Sequence, residues 1–524
     1  MAQELYDICK KYNIVHKLGN LTADNLTTND KGIRILGQKL AVEDGILDFN
    51  HLERRSHCFS HAVHLAEAAF LQALSPKKTV KKNGKSNRMV PIVPAPASSP
   101  SGDVDPDEED TEEEIAGLMV EVAEAVKELP EASEEALLLA ELLLKVRGFI
   151  AKVRRSPQAK QFFKKCCRAA TIEVLELLPY CKTRWGSWFG VLGHLLVLKK
   201  AVIAFINQAD DSDEVPNVEK NQPKYISYRL SSEEWKFIEL IHEVLKEASK
   251  VQETFSSESV PTLWLVLPVY EQFIRVWESF TQRSDMKPLV PMLNAGINNL
   301  RKYYNLSDRS PAHIVCLYLD PRVKDAYFQS AWTEEGQVEA RVIMERIFDE
   351  YQAHRQPNAS ESSNEAPGPS SSGISQGVTG SYGFAFIENA TANRRQREKR
   401  TIKDLRAELK KYLEEDLVVV PKGQPFDLLS YWKAESLRAP VLGDIARDYL
   451  AIQGSSVPCE RVFSSAGLTD DKRRGSIIPQ NFEAIQTCKA RYRAERARRA
   501  AAVAAQREAQ RKRWEEDAIE QVGS

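Results

Sequence analysis

The chain has 524 residues, of which 43% are hydrophobic, so it can bury a sizeable core and is long enough for about two to four domains. Charged residues nearly cancel to a net charge of -2, so whole-chain charge indicates no particular partner. The eight cysteines are scattered, which favours a reducing compartment over a disulfide-rich secreted domain. No uncharged apolar run of membrane-spanning length and no signal-peptide pattern occur, so the sequence predicts an intracellular protein without a membrane partner.

Two segments of biased composition divide the chain. Residues 75–114 change from basic to Pro/Ser-rich to acidic, and residues 356–400 are rich in Ser, Gly and Pro with a basic end. Such segments have too little apolar surface to offset the entropy of ordering a chain. The sequence therefore predicts that both are disordered linkers.

Helical periodicity dominates the rest of the chain. Between the linkers, apolar residues recur at three- and four-residue spacing over Ala136 to Val153 and over Trp235 to Val251. After the second linker, the sequence predicts an apolar connector from Phe426 to Trp432 and helices at four places: Ile402 to Leu413, Val441 to Leu450, Cys459 to Ala466, and Pro479 to Trp514.

Several motifs resemble those of one protein family. The segment from Phe426 to Arg493, with its Ser-Ser-Val-Pro-Cys-Glu-Arg-Val-Phe-Ser run, resembles the C-terminal dimerisation region of the hAT family of DNA transposases. Shorter matches follow the family's order: LTADNLTTND from Leu21, RSHCFSHAVHL from Arg55, LLLKVRGFIAKVRRSP ending at Pro157, TRWGSW from Thr183 and YLDPRVKDAYF from Tyr318. The chain thus looks like the C-terminal portion of such a transposase.

The resemblance implies a fold and a metal site. The family's catalytic domain is similar to ribonuclease H, and its two aspartates and one glutamate bind two divalent ions. Asp24 matches the second aspartate and Glu460 matches the glutamate, whereas only 23 residues precede Asp24, so we expect the first aspartate and the first strands to be missing. The expected fold class is α+β and predominantly helical, with a partial ribonuclease H-like core interrupted by a large all-α insertion domain. Mg²⁺ is the expected cofactor only if the chain is active.

The individual site residues also have structural interpretations. Asp24 is typical of an Asx turn at a strand end, and Glu460 is typical of the first turn of a helix. Cys58 and His61 match the family's C-x-x-H signature, and a zinc site there would need further paired ligands that the sequence lacks. A buried cysteine and a hydrogen-bonded histidine are the alternative.

Two segments are candidates for DNA binding. Arg184 and Trp185 match the family's Arg-Trp motif, which implies an aromatic platform for a displaced base, and a core tryptophan is the alternative. From Lys489 to Arg513 there are ten Lys or Arg residues against two Glu, and among them we assign DNA contacts to Lys489, Arg491 and Arg493. A solvated surface helix is the competing interpretation. The basic run RRQREKR from Arg394 is a candidate nuclear address.

Apolar side chains in the C-terminal region are candidates for self-association. They can pack across two chains or within one chain, and the predicted set is Trp432, Leu442, Ile445, Tyr449, Val462 and Phe463. The expected organisation is a partial core (1–74), a linker (75–114), a helical insertion (115–355), a second linker (356–400), the dimerisation region with the last core helices (401–493) and a basic helical tail (494–524).

The sequence favours a transposase-derived nuclear protein that dimerises and contacts DNA, with an incomplete catalytic centre and no small-molecule substrate. Two alternatives stay open. The chain is an active transposase if missing strands are encoded upstream, or it is a dimeric interaction module without a DNA role.

Overall fold

A computed structural model describes residues 1–73, 77–81, 87–91, 134–181, 186–216, 223–256, 261–355, 405–421, 424, 426–467, 469 and 477–523. The chain divides into two compact units, Met1–Ser456 and Val457–Ser524. Helices account for most of the described residues, which confirms the prediction of a predominantly helical protein.

The first unit begins with a small parallel sheet and its flanking helices. Its elements are α1 (Ala2–Lys11), β1 (Leu21–Ala23), α2 (Thr27–Asp44), β2 (Arg55–His57) and α3 (Phe59–Ala73). Strands β1 and β2 pair in parallel, with Thr22 opposite Ser56. Parallel strands need a crossover connection, and α2 supplies it. The carboxyl ends of both strands therefore meet at the same edge of the sheet.

The first predicted linker contains a short hairpin. Strands β3 (Lys77–Lys81) and β4 (Asn87–Pro91) pair antiparallel, with Thr79 opposite Met89. The rest of the first predicted linker lies outside the described residues, and its disorder stays a prediction.

Helices make up the remainder of the first unit. Several begin where local chemistry favours it, since the Ser156 hydroxyl accepts the Ala159 N–H at 3.1 Å just before Pro157, and Ser231 and Glu234 form a capping box. The helices are α4 (Glu134–Arg155), α5 (Pro157–Ala169), α6 (Ser187–Val197), α7 (Lys199–Gln208), α8 (Ser232–Thr254), α9 (Val266–Thr281), α10 (Val290–Ser307), α11 (Ala312–Tyr318), α12 (Ala326–Ala331), α13 (Glu334–Arg355), α14 (Ala407–Glu414), α15 (Leu428–Glu435) and α16 (Pro440–Tyr449).

One continuous apolar core joins the helical insertion to α3 and to the helices α14 to α16. Trp277 of α9 is fully buried and lies against Phe70 of α3, with ring centroids 6.1 Å apart. A Cβ at Gly296 of α10 would lie 2.3 Å from the Trp277 ring, so only glycine allows this close approach. The insertion and the residues around the small sheet therefore stabilise one another.

The second unit consists of two described helices, α17 (Val457–Gly467) and α18 (Pro479–Gly523). Both boundaries agree with sequence signals, because Gly467 ends α17 and Pro479 opens α18. Within the described part of the chain, no single helix is long and apolar enough to span a membrane, and α6 with the helical stretch Lys199–Asp211 passes that test only as a pair bent by 73°.

Candidate functional site

Asp24 follows β1 at the edge where both strands end. Its Oδ1 accepts hydrogen bonds from the Leu26 backbone N–H, at 3.4 Å, and from the Asn29 side-chain amide. These contacts are those of an Asx turn leading into α2. The turn interpretation therefore describes the local contacts of Asp24, and a metal-binding role for it stays a prediction.

Arg55 of β2 holds the end of β1 from the protein interior. It is only 5% exposed, and its guanidinium donates to the carbonyl of Ala23 at 3.0 Å and to the carbonyl of Asp24. Its Nε donates to the Asp30 carboxylate at 3.0 Å. Charge-assisted bonds of this kind are stronger than neutral ones. Arg55 thus fixes the loop that carries Asp24. The sequence did not predict this role, because Arg55 is only the first residue of the RSHCFSHAVHL motif.

Cys58 follows β2 at the same edge and leads into α3. It is fully buried, and its Sγ accepts the backbone N–H of His61 at 3.4 Å and that of Ser456 at 3.2 Å. Burial lowers the pKa of His61, which keeps the imidazole neutral at pH 7. Among the described residues, no group of three or more His, Cys, Asp or Glu side chains is placed to hold a metal ion. The contacts of Cys58 are those of a junction between distant segments.

The other side of that junction is residues 453–456, which end the first unit. The Thr22 hydroxyl donates to the Gln453 carbonyl at 2.7 Å, and the Phe59 N–H donates to the Gly454 carbonyl at 3.0 Å. Residues separated by roughly 400 positions therefore meet where β1 and β2 end. Nothing local marks residues 453–456 as a partner of the sheet, and only the resemblance, which assigns Asp24 and Glu460 to one metal site, implied that these segments lie close together.

Glu460 lies in the first turn of α17, four positions after Ser456. It belongs to the second unit and Asp24 to the first. A negative side chain in a first turn is favoured by the helix dipole, which is the structural interpretation of Glu460. Its role as a metal ligand stays a prediction.

Four of the six predicted dimerisation residues are buried within their own chain. Trp432, Leu442, Ile445 and Tyr449 are each at most 4% exposed, and the Trp432 indole donates to the Leu319 carbonyl at 2.6 Å. The sequence left open whether these side chains pack within one chain or across two chains. These four pack within one chain. The other two, Val462 and Phe463 of α17, are 50% and 71% exposed.

Lys324, in the YLDPRVKDAYF motif, anchors the start of the C-terminal region. Its side chain is 2% exposed, and Nζ donates to the carbonyls of Tyr412 and Glu415 at 2.5 and 2.7 Å. These carbonyls lie at the end of α14, where backbone acceptors lack helical partners. The hydroxyl of Tyr412 in turn donates to the Tyr318 carbonyl at 2.9 Å. The YLDPRVKDAYF motif therefore positions α14. The sequence of the motif did not predict this contact.

The basic residues of α18 divide into two groups. Lys489 donates to the Ser465 carbonyl at 3.3 Å, and Arg493 donates to the Ser465 hydroxyl at 2.8 Å. These two predicted DNA contacts therefore also hold α18 against the end of α17. Arg491 is exposed, as are Arg496, Arg498 and Arg499.

The predicted Arg184-Trp185 platform lies outside the described residues. Residues just after it line a cavity of about 20 Å³ between α3, α6 and α8, together with His64, Glu67 and Tyr180. This volume is enough for about one water molecule. The neighbouring Trp188 ring is buried and stacks at a tilt on Tyr180, with ring centroids 4.9 Å apart.

Glu67 is the unexpected group in this cavity. Its carboxyl is 3% exposed and accepts the Gln252 side-chain amide at 3.0 Å. Burial raises its pKa to about 8, so the carboxyl is mainly protonated at pH 7. In the sequence, Glu67 stands out only as an acidic residue within the apolar helix α3. That observation by itself predicts no role for it.

Comparisons with known proteins identify the C-terminal region. A family model described as the hAT family C-terminal dimerisation region matches residues 408–491. Residues 408–491 are similar to the hAT dimerisation region. A second family model, described as the ZBED1 RNase-like helical domain, matches residues 125–244 of the helical insertion. The resemblance to the hAT family is therefore confirmed.

Relatives that are named as a transposase or as zinc finger BED proteins align with parts of this chain. A Zea mays protein provisionally named AC transposase is 26% identical over 366 residues, covering 68% of this chain and 42% of the relative. The Oryza sativa subsp. japonica protein named zinc finger BED domain-containing protein RICESLEEPER 1 is 24% identical, covering 66% of this chain and 47% of the relative. RICESLEEPER 3 from the same source is 39% identical over 83 residues, which are 15% of this chain and 11% of the relative.

The chain thus spans less than half the length of these curated relatives. Their names describe transposases and zinc finger BED proteins.

Proposed function

We propose that this chain is a transposase-derived nuclear protein that self-associates through its hAT dimerisation region, binds DNA, and does not complete strand transfer by itself. The observation that carries the DNA-binding part is the exposed basic surface of α18. From residue 489 to residue 499 the sequence has six Lys or Arg and one Glu, and the five arginines among them are exposed. Such a surface is able to neutralise phosphates and release their counterions.

The exposed arginines supply a direct test of DNA binding. Arg491 and Arg498 are two helical turns apart and lie on one face of α18. We expect the double variant with Arg491→Ala and Arg498→Ala to bind duplex DNA more weakly, whatever the DNA sequence. Each lost phosphate contact should lower the slope of log affinity against log salt by about 0.9. Fluorescence anisotropy of the full chain with a labelled duplex at several salt concentrations measures both effects.

A matched control for this double variant replaces exposed arginines of the first unit. Arg341 and Arg447 have 57% and 72% exposed side chains, so their substitution by alanine removes the same charge without touching α18. Equal losses in both double variants would contradict a DNA-binding role for α18. A chain that dimerises but shows no salt-sensitive DNA affinity would instead be an interaction module.

We propose that Asp24 and Glu460 correspond to two of the three carboxylates that the family uses. A ribonuclease H-like core around β1 and β2 is part of this proposal, supported by their parallel pairing and by Asp24 at the strand end. Mg²⁺ prefers octahedral oxygen coordination, and two ions with a phosphate need several carboxylates. Asp24 and Glu460 alone do not fit that requirement, so these two carboxylates are insufficient for two-metal strand transfer.

The second candidate is an active transposase. It is favoured by the position of Asp24 at the end of β1 and by the docking of residues 453–456, just before Glu460, onto the same edge of the sheet. Magnesium-dependent nicking of a duplex by the full chain tests it, with Glu460→Ala as the variant. Nicking that disappears in the variant would support an enzyme, and nicking equal in both proteins would indicate a contaminant.

The nuclear part of the proposal is supported by the basic run from Arg394 to Arg400, which lies outside the described residues. Clusters of this kind are recognised as nuclear addresses. We expect a fluorescent fusion of the full chain to accumulate in nuclei, and replacement of the cluster's arginines by alanine to abolish that accumulation.

A further inference from the structure

The cavity between α3, α6 and α8 is lined by two buried side chains with unsatisfied polar atoms. Glu67 is 3% exposed, and Oε2 of its carboxyl accepts the Gln252 side-chain amide at 3.0 Å. Its other oxygen, Oε1, has no hydrogen-bond partner among the described residues, and neither has the hydroxyl of Tyr180, which is 9% exposed. Buried polar atoms without partners are costly, so a ligand that bonds to both would stabilise the folded chain.

A third polar side chain lines the same cavity. The hydroxyl of Ser187 accepts the backbone N–H of Cys181 at 2.9 Å, and a hydroxyl that accepts one bond still has a proton to donate. Along the chain, the segment between Cys181 and Ser187 contains Arg184 and Trp185. Tyr180 precedes this segment. The wall of the cavity therefore combines a carboxyl from α3 with a polar group from each flank of the segment.

The size of the cavity limits what it can bind. Its volume of about 20 Å³ accommodates about one water molecule and leaves no room for a larger ligand. A buried water needs about two to four polar partners, and Glu67, Tyr180 and Ser187 supply three. Burial raises the pKa of Glu67 to about 8, so at pH 7 its carboxyl can donate as well as accept. Burial also raises the pKa of Tyr180, and the nearby Trp188 indole opposes that rise without reaching hydrogen-bond geometry.

We propose that this cavity binds one ordered water molecule, which joins Glu67 to Tyr180 and Ser187 and thereby fixes both flanks of the segment that carries Arg184 and Trp185. Glu67 is then a positioning residue for that segment, although it belongs to α3. Water-mediated bonds of this kind are nearly as favourable in enthalpy as direct ones. The anchor belongs to the free chain and does not depend on the proposed binding of DNA.

Limited digestion of the full chain by trypsin at pH 7 tests this anchor, because trypsin cleaves after Lys182 and Arg184. Tyr180→Phe removes only the hydroxyl, and Glu67→Leu removes the carboxyl. We expect each substitution to raise the rate of cleavage at these two bonds about fivefold, the effect of one lost hydrogen bond on a local opening equilibrium. The double variant should be cleaved no faster than the faster single variant, because all three proteins lose the same bound water.

Two further variants separate positioning from a general loss of stability. Glu67→Gln keeps a neutral side chain that both donates and accepts, so its cleavage rate should stay within about twofold of wild type. Tyr303→Phe removes the hydroxyl of a buried tyrosine in α10, outside the cavity, and should leave the rate unchanged. Cleavage after Arg394, in the second predicted linker, serves as the internal reference for protease activity, and circular dichroism verifies that each variant is folded.

Several results would overturn the proposal. Equal cleavage after Lys182 and Arg184 in wild type, Glu67→Leu and Tyr180→Phe would mean that the cavity does not fix the segment. An equal increase in Tyr303→Phe would attribute the effect to global stability, and additive effects in the double variant would mean that no shared water connects the two groups. A crystal structure gives the direct test: an ordered water within hydrogen-bond distance of all three side chains supports the proposal, and a cavity closed by a shifted side chain contradicts it.

Discussion

The ammonium of Lys324 donates a hydrogen bond to the main-chain carbonyl of Glu415 at 2.7 Å, joining two segments of the chain that are 91 residues apart. Lys324 is buried and also donates to the Tyr412 carbonyl. Removing the ammonium would leave two carbonyls at the end of α14 without these bonds. We expect Lys324→Met to lower the free energy of unfolding by about 3 kcal/mol.

Urea denaturation measures this loss, and Lys411→Met is the control. Lys411 is an exposed residue of α14, so its replacement should change stability by less than about 0.5 kcal/mol. Equal effects of the two substitutions would mean that the bonds of Lys324 contribute little.

Glu67 makes stability depend on pH in a direction opposite to that of an ordinary surface carboxylate. Burial raises its pKa from 4.5 to about 8 in the folded chain, so folding takes up a proton between these two values. The contribution of Glu67 to stability is therefore greatest below about pH 4.5 and declines as pH rises to about 8. Glu67→Gln removes this titration and retains a neutral side chain of the same shape beside Gln252.

We expect the stability of Glu67→Gln relative to wild type to increase by about 3 kcal/mol between about pH 5.5 and about pH 8. Urea denaturation at both pH values gives this difference. A relative stability that is the same at both pH values would contradict a protonated Glu67. Glu339→Gln, at an exposed position, serves as the control.

Gly454 allows the C-terminal end of the first unit to approach its core. A Cβ at this position would lie 2.7 Å from Cγ2 of Val266 and 3.2 Å from the ring of Phe255. We expect Gly454→Ala to destabilise the chain by about 2 kcal/mol, because a packed core accommodates extra volume only by shifting. Thermal unfolding compares it with Gly19→Ala, whose added Cβ would meet nothing within 4 Å. A larger loss at Gly19 would overturn this assignment.

Salt should weaken DNA binding by α18, because phosphate contacts release counterions. Fluorescence anisotropy at about 50 mM and about 300 mM salt, on either side of the roughly 100 mM at which the Debye length is about 10 Å, measures this trend. An affinity that does not change with salt would argue against phosphate contacts by α18.

The boundaries of several helices were predictable from local chemistry. The helix predicted from Val441 was found as α16, and Gly467 and Pro479 mark the boundaries of α17 and α18. The predicted connector from Phe426 to Trp432 was wrong, because it enters the helix α15. The Asp427 side chain caps that helix by accepting the Leu429 and Ser430 N–H groups at 3.1 and 3.0 Å.

The sequence predicted which segments are helical better than it predicted which side chains cover one another. The apolar stripe of α16 indicated that Leu442, Ile445 and Tyr449 would be covered, and the sequence could not distinguish cover by the same chain from cover by another. The roles of Arg55 and Lys324 depend on carbonyl groups that come close only in the folded chain. Residue type at such positions carries no local signal, since a basic side chain is usually solvated.

The docking of residues 453–456 onto the small sheet has a consequence for synthesis of the protein. Thr22 finds its partner at Gln453 only after 431 further residues have been added. At a synthesis rate of about 5–20 residues per second, the strand would wait roughly 20–90 s for that contact. The amino-terminal segment therefore leaves the ribosome long before its final neighbours, and shielding by a chaperone would protect it during that interval.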